Sequence, residues 1–521
     1  MKDYNNMRGG TFFTLYYSLF TLAAVMLLTA CGHQVPENFW EKDEFPNIYP
    51  DYTNVTVPIN IAPLTFEIDG KVDDVVARFS VGEEEMVCGG QKIQPDADDW
   101  HRLAEAAKGS AINVEVYVKD NDNWTRFKPF NIYVSPDSID PYISYRLISP
   151  SYVTYEELTI NQRCLENYEE SVIFDNMLCS EGAKGQCINC HNYQQYNPDR
   201  MQFHARQNMG GTVIAYDGKI QKINMRNDSI LSAGVYPTWH PWLPLIVYST
   251  NMTGQIFHSV NPNKIEVFDS ESDLIAYNVE KNEVTNIEND PKEMECFPFW
   301  APDGKTLYYC SAHFEYSDSV ADKGLEFVTR TQEAKYNLYK KRFNPETMQF
   351  GPRELVFAAD SLDKSATLPR ISPDGRYLMF TLAKYGVFHI WHHDADLWLL
   401  DLKNEELRIK NEESAVARPM TELNSDDTES YHSWSSNGRW VVFSSRRYDG
   451  NYTRPFIAHI DEKGIGTKPF ELPSADPDYH RQFLKCYNIP EFMRGPVTIR
   501  PQKFADVLKQ DAVPVKYVRK F

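Results

Sequence analysis

The sequence has little positive charge to offer a nucleic acid. Its 53 Lys and Arg residues are outnumbered by 73 Asp and Glu residues, which gives a formal net charge of -20 at pH 7. Because binding to a phosphate backbone needs clustered Lys and Arg, nucleic acid is excluded as a partner. Three catalytic signatures are also missing: a phosphate-binding Gly-rich loop with Lys-Ser/Thr, a Gly-x-Ser-x-Gly elbow and a His-Glu-x-x-His helix. We therefore favour an electron carrier or a binding protein over an enzyme.

Long apolar runs are missing after the first thirty residues. Those thirty residues combine Lys2 and Arg8 with the run "TFFTLYYSLFTLAAVMLL" and lead to "LTAC", a pattern that predicts a signal peptide over 1–30. Its end resembles a bacterial lipobox, which implies cleavage before Cys31 and lipidation of that thiol. We expect a body outside the cytoplasm, attached by lipid to the bacterial outer membrane, with 31–50 as a tether. An uncleaved anchor helix is the alternative.

One signature recurs in the second half of the chain. The segments beginning at Tyr236, Cys296, Thr367 and Tyr431 can be aligned, and each reads as strand, tight turn, strand. Pro-Asp-Gly or Ser-Asn-Gly supplies the turn in three of them, because Gly adopts positive φ without steric cost. The equivalent anchor positions are 61, 71 and 63 residues apart, at Trp239, Trp300, Ile371 and Trp434. Such units must stack on neighbours to bury their sheet faces.

This repeat, together with "SSRRYDG" at 444–450, resembles the TolB-like β-propeller repeat. The resemblance implies an all-β fold with a propeller of five to six blades over 206–500, and six if the two ends of the chain share one blade. Alternating strands over 51–135 predict a small immunoglobulin-like β-sandwich. We assign 136–205 to a linker with an irregular cofactor-binding segment, and 501–521 to a C-terminal tail.

The linker contains Cys187, Cys190 and His191 in the order Cys-x-x-Cys-His. A zinc site would need more ligands, and no second Cys-x-x-Cys exists. A redox-active dithiol would need a thioredoxin-like βαβ context, and a plain disulfide between the two cysteines is also open. Haem fits the spacing best, because two thiols three positions apart can add to two vinyl groups while the imidazole ligates iron. The motif resembles the general cytochrome c attachment signature, which implies one covalent haem c.

A sixth iron ligand would come from His204, with Met209 or Met201 as alternatives. We therefore predict a lipid-anchored envelope protein that transfers electrons or senses redox state with a partner protein. The alternative is a non-catalytic propeller lipoprotein that docks a protein or a glycan, in which the cysteine motif is structural. A peroxidase-like enzyme is a third option.

Cys296 and Cys310 each lie seven residues from Asp303 at the centre of a turn. This symmetry predicts that they face each other across a hairpin, close enough for a disulfide.

Overall fold

The computed structural model describes residues 33–151, 154–180, 182, 185–403 and 417–521, so the signal peptide and Cys31 lie outside the described residues. The described chain consists mostly of β-strands, which confirms the all-β class. No helix in these ranges is long and apolar enough to cross a membrane. The short α-helices are α1 (Ala97–Ala106), α2 (Lys323–Thr329), α3 (Tyr479–Gln482) and α4 (Pro501–Leu508).

The N-terminal part forms two sheets around one core. A seven-stranded sheet contains β1, β3, β5, β6, β8, β9 and β10, and a three-stranded sheet contains β2, β4 and β7. Helix α1 packs into the same core through Trp100. The two-sheet β-domain agrees with the sequence, and its immunoglobulin-like identity stays a prediction. The strands are β1 (Trp40–Lys42), β2 (Ile48–Tyr49), β3 (Thr56–Pro58), β4 (Phe66–Ile68), β5 (Asp74–Val81), β6 (Glu84–Gly89), β7 (Lys92–Ile93), β8 (Ala111–Asp120), β9 (Asn123–Phe127) and β10 (Phe130–Ser135).

The rest of the chain forms antiparallel groups of four strands, of which the first has three consecutive strands and is completed by a strand near the C-terminus. They are β11 (Tyr142–Ile148), β12 (Thr159–Cys164) and β13 (Glu170–Asp175); β14 (Ile188–Tyr193), β15 (Met201–Ala205), β16 (Gly211–Tyr216) and β17 (Lys219–Asn224); β18 (Gly234–Trp239), β19 (Leu245–Phe257), β20 (Ile265–Asn278) and β21 (Glu283–Glu288); β22 (Glu293–Trp300), β23 (Thr306–His313), β24 (Asn337–Asn344) and β25 (Gln349–Phe357); β26 (Ser365–Ile371), β27 (Tyr377–Ala383), β28 (Asp396–Asp401) and β29 (Arg418–Pro419); β30 (Glu429–Trp434), β31 (Trp440–Ser445), β32 (Arg454–His459) and β33 (Phe470–Glu471). Three later strands follow: β34 (Cys486–Met493), β35 (Val513–Pro514) and β36 (Lys516–Tyr517).

The groups are arranged around an axis as in a β-propeller. Strand β34 completes the first group by pairing with β11, so the sheet runs β13-β12-β11-β34. Each group thus has one inner strand, and each inner strand contacts the next in the order β14, β18, β22, β26, β30, β34, after which β34 contacts β14. Residues from both ends of the propeller sequence therefore meet in one sheet.

Every inner strand contains the same irregularity. One residue with left-handed φ interrupts the pairing, and the register shifts around it. Non-Gly residues rarely adopt this conformation, so six occurrences at one position define a structural repeat. We call these six residues the axial ring: Cys190 (φ 55°), Tyr236 (49°), Phe297 (51°), Leu368 (55°), Tyr431 (52°) and Ile489 (51°).

Three predicted boundaries differ from the structure. The tether 31–50 includes β1 and β2, which pair within the N-terminal sheets. The linker and cofactor segment 136–205 includes β11 to β15, so it belongs to the regular repeat. The tail 501–521 includes α4, whose Phe504 and Leu508 are fully buried, and two strands that pair with β17 and β21. Weak periodicity hid these elements, because short strands become recognisable only when their partners are known.

Candidate functional site

The Cys-x-x-Cys-His motif lies on the innermost strand of its group. Cys190 is a member of the axial ring, and His191 follows it as Pro237, Pro298, Pro369, His432 and Pro490 follow the other members. Position for position, Cys190-His191 therefore corresponds to Tyr431-His432. The repeat gives both residues a structural place that needs no cofactor.

His191 is buried on the side of the preceding group. Burial, followed by the charge of Arg146, lowers its pKa to about 3, while backbone at Ile489 and Ser144 acts in the opposite direction. The imidazole is therefore neutral, and neither ring nitrogen has a hydrogen-bond partner among the described residues. His432, its counterpart, is also held near a pKa of 3 by burial, and its Nε2 lies 3.0 Å from the Met379 carbonyl oxygen.

Cys190 lies on the other side of β14. Burial raises the pKa of its thiol, and the backbone at Tyr236, in the following inner strand, acts in the opposite direction. It lines a cavity of about 40 Å³ that His191 does not line. A covalent haem needs both sulfurs on one macrocycle edge and the imidazole over its face, whereas 40 Å³ holds only a few water-sized groups. In this conformation the placement of Cys190 and His191 does not fit a covalent haem.

The predicted sixth ligands are not brought to His191. His204 lies opposite Asn189, and its Nδ1 is 3.1 Å from the Thr212 hydroxyl. Met201 is fully buried in the core, and Met209 packs against the same cluster. Within the described ranges, no group of three or more His, Cys, Asp or Glu side chains could hold a metal ion.

Cys296 and Cys310 are directly opposite each other in register, as the symmetry about Asp303 predicted. Their sulfurs are not bonded to each other. The Cys310 thiol donates to the Cys296 carbonyl oxygen at 3.3 Å, and the Asn251 amide donates to the Cys296 sulfur at 3.4 Å. The facing arrangement is thus present without the predicted disulfide, because each thiol is oriented toward a different partner.

The residue two positions after each member of the axial ring lines a second, larger cavity. We call this space, of about 100 Å³, the axial cavity. Four of the six residues keep partial solvent exposure, so the cavity is open to solvent. The six are Asn192, Thr238, Phe299, Arg370, Ser433 and Glu491.

Two opposite charges occupy this cavity. Burial raises the pKa of Glu491 to about 7, although Arg370 and a hydrogen bond from Asn192 oppose the shift. The Asn192 amide donates to Glu491 Oε1 at 2.9 Å. Burial lowers the pKa of Arg370 to about 10, and its guanidinium lies 4.8 Å from the centre of the Phe299 ring. The site can therefore offer a cation, a carboxyl near its midpoint at neutral pH, and an amide.

Aromatic side chains form the walls of the axial cavity. Trp239, Trp300 and Trp434 come from the anchor positions of the sequence repeat, and Tyr193 and Phe492 occupy the same place in their groups. The indole N–H groups of Trp239 and Trp300 and the hydroxyl of Tyr193 are buried without a hydrogen-bond partner among the described residues. Such groups are costly unless something accepts or donates to them.

Sequence reasoning found the tryptophans but missed Asn192, Arg370 and Glu491. The signal was available, because all three follow a ring residue by two positions. It was hidden in β14 by the cysteine motif and in β34 by the absence of a Pro-Asp-Gly turn, so neither strand was aligned with the repeat.

No family model and no curated protein matches the chain. Prolyl oligopeptidase B from Galerina marginata is 9% identical with a TM-score of 0.35 over 68% of this chain, which spans only 42% of that protein. The β-propeller domain of the Trilobed protease from Pyrococcus furiosus is 12% identical with a TM-score of 0.32 over 70% of this chain and 91% of that one. A DUF4784 family protein from Bacteroides caccae is 11% identical with a TM-score of 0.26 over 74% and 97%.

Proposed function

We propose that this chain is a non-catalytic binding protein whose axial cavity takes a small polyhydroxylated ligand, such as a terminal sugar. The observation that carries the proposal is the convergence of one repeat position from six inner strands on an open cavity. A position that serves only packing would be apolar in most groups. Five of these six residues are polar or charged, and only Phe299 is apolar. Concave sites with a few converging polar groups are the usual places for small ligands.

The chemistry of the lining favours a sugar. Flat aromatic walls, among them Trp239 and Trp300, can cover the apolar face of a pyranose ring. Arg370, Asn192 and Glu491 then supply charged and amide partners. On binding, these groups would replace the water molecules that hydrate the ligand. Each hydrogen bond would then discriminate between sugars more strongly than at an open surface.

Fluorescence titration of the full mature chain with a panel of neutral, acidic and amino sugars tests the proposal. Three tryptophans line the cavity, so binding should shift the emission, and Arg370→Gln should weaken the affinity at least tenfold. Arg376→Gln is the matched control, because this arginine lies on the adjacent turn and pairs with Asp401 outside the cavity. Equal binding by both variants, or no sugar response at all, would count against the site.

The propeller itself is proposed to have six blades, closed by the pairing of β34 with β11. The closed order of contacts between inner strands supports this number. The first thirty residues support export and lipidation at Cys31, which would place the cavity in the bacterial envelope. Cys31→Ser should leave the protein unlipidated, as radiolabelled palmitate incorporation and membrane fractionation would show.

Electron transfer through a covalent haem c, with a redox partner protein, stays the earlier hypothesis from the cysteine motif. The places of Cys190 and His191 in the repeat favour the binding function over it. A visible spectrum distinguishes the two.

A further inference from the structure

The cavity of about 40 Å³ that Cys190 lines lies on the other side of the axial ring from the axial cavity, and it carries an excess of positive charge. Cys190, Tyr236, Tyr431 and Ile489 of the ring separate it from the axial cavity. Two arginines, Arg146 and Arg446, line it, and none of its lining residues in the described part of the chain is Asp or Glu. We call it the arginine pocket.

Arg446 is the more deeply buried of the two arginines. It is 6% exposed, and its guanidinium lies 4.4 Å from the centre of the Trp391 ring. One terminal nitrogen donates to the Gly450 carbonyl oxygen at 3.3 Å, while Nε has no hydrogen-bond partner among the described residues. Burial lowers its pKa, although Asp427 and Asp449 at longer range favour the charged form. A desolvated guanidinium with an unused donor is costly unless an anion completes it.

Arg146 adds a second guanidinium from β11. One of its terminal nitrogens donates to the Ile188 carbonyl oxygen at 3.1 Å, and the other lies 3.2 Å from the side-chain amide of Asn488. Burial raises the pKa of Cys187 and Cys190 and lowers that of His191, and the charge of Arg146 acts against burial at the two thiols and with it at the imidazole. Three neighbouring groups therefore sense a positive potential here, independently of Arg446.

We propose that the arginine pocket binds one small oxyanion, a carboxylate or a phosphate group, between Arg446 and Arg146. Planar guanidinium groups match the oxygens of both anions, and aromatic stacking such as that of Arg446 on Trp391 holds the fork in place. A free volume of about 40 Å³ admits one such group and excludes a nucleotide. Arg146, Ser149 and Trp391 keep partial exposure, which leaves a path to solvent.

The test compares inorganic phosphate and acetate with chloride at constant ionic strength, by thermal unfolding and calorimetric titration of the full mature chain. We expect phosphate or acetate at 10–100 times its Kd to raise Tm by about 1–3 °C, since a ligand that binds only the folded state adds about 1.4–2.7 kcal/mol at these concentrations. Arg446→Gln should lose this rise and should be at least as stable as the wild type in chloride, because it removes an uncompensated buried charge.

Arg439→Gln is the matched control. This arginine belongs to the same group of strands but pairs with Glu462 at the surface, so the anion effect should persist. Should Arg446→Gln not fold, Arg146→Gln gives the same comparison at a partly exposed position. An anion effect of equal size in wild type and in the folded pocket variant, or no effect in wild type, would overturn the proposal. Loss of sugar binding alone would leave it intact.

Discussion

Cys190 shows how one residue can carry a chemical signature and a packing role at once. Its counterparts in the axial ring all have large side chains with an apolar ring or an aliphatic chain: Tyr236, Phe297, Leu368, Tyr431 and Ile489. A buried thiol behaves as a small hydrophobe, and burial raises the pKa of the Cys190 thiol. Because the thiol is kept neutral, this cysteine is a weak nucleophile at neutral pH.

At this scale we expect the protein to be colourless. Protein made in a host with cytochrome c maturation should show no reduced α-band, because Cys190 and His191 lie on opposite sides of β14. The measurement is a visible spectrum before and after acid-acetone extraction. A sharp band that survives extraction in the wild type and is lost in Cys190→Ala would reinstate the haem.

Glu491 gives a pH-dependent prediction. Burial raises its pKa from 4.5 to about 7 in the folded chain, so its protonated form stabilises the fold below pH 4.5 and this contribution is lost as pH rises through 7. Glu491→Gln should therefore gain stability relative to wild type between pH 5 and pH 8, by about 1–3 kcal/mol. Urea unfolding at both pH values measures the difference. A pH-independent difference would mean that Glu491 titrates normally.

At the scale of elements, the C-terminal segment is a docked part of the fold. Helix α4 begins at Pro501, and proline is well suited to the first turn of a helix. Its Phe504 lies 5.5 Å from Phe203 and 6.4 Å from Phe174, ring centre to ring centre. The helix thereby covers the outer parts of the first two groups of strands, which a disordered tail would leave exposed.

Phe504→Ala tests the docking of α4. Removing a fully buried ring should cost about 3–5 kcal/mol in the free energy of unfolding. Phe45→Ala is the control, because Phe45 is 44% exposed and should cost less than about 1 kcal/mol. Denaturant titration of both variants gives the comparison, and similar small losses would show that the helix is not docked in solution.

At the scale of the molecule, the propeller depends on its two ends. Strand β34 supplies the inner strand of the first group and carries Glu491 into the axial cavity. The N-terminal sheets are joined to the propeller as well, because Trp100 and Phe79 share one core with Trp440 and Tyr487. The chain should therefore unfold as one cooperative unit.

Truncations test this closure. A chain ending at Lys485 lacks β34 and should lose cooperative thermal unfolding and become sensitive to protease, because the first group then exposes an unpaired inner edge. A chain ending at Arg500 keeps β34 but lacks α4, and should still unfold cooperatively at a lower Tm. Differential scanning calorimetry separates the two cases. Cooperative unfolding of the shorter chain with an unchanged Tm would show that β34 does not close the ring.

The sequence by itself determined the strand-rich class, the repeat with its anchors Trp239, Trp300 and Trp434, and the register of Cys296 with Cys310. Local patterns are sufficient for these, since turn residues and alternation act over a few positions. The sequence also predicted a haem from three residues within five positions. A motif of this kind carries no information on which side of a strand each residue lies, so it could not show that Cys190 also belongs to the repeat.

Only the tertiary structure decided the candidate site. Asn192, Arg370 and Glu491 are distant along the chain and meet because six inner strands converge on one axis. Burial lowers the pKa of Arg370 and raises that of Glu491, and this burial depends on neighbours from several groups of strands. The same convergence placed Cys190 in the axial ring and Arg446 beside Arg146, and no local pattern encodes contacts that form only when a ring of sheets closes.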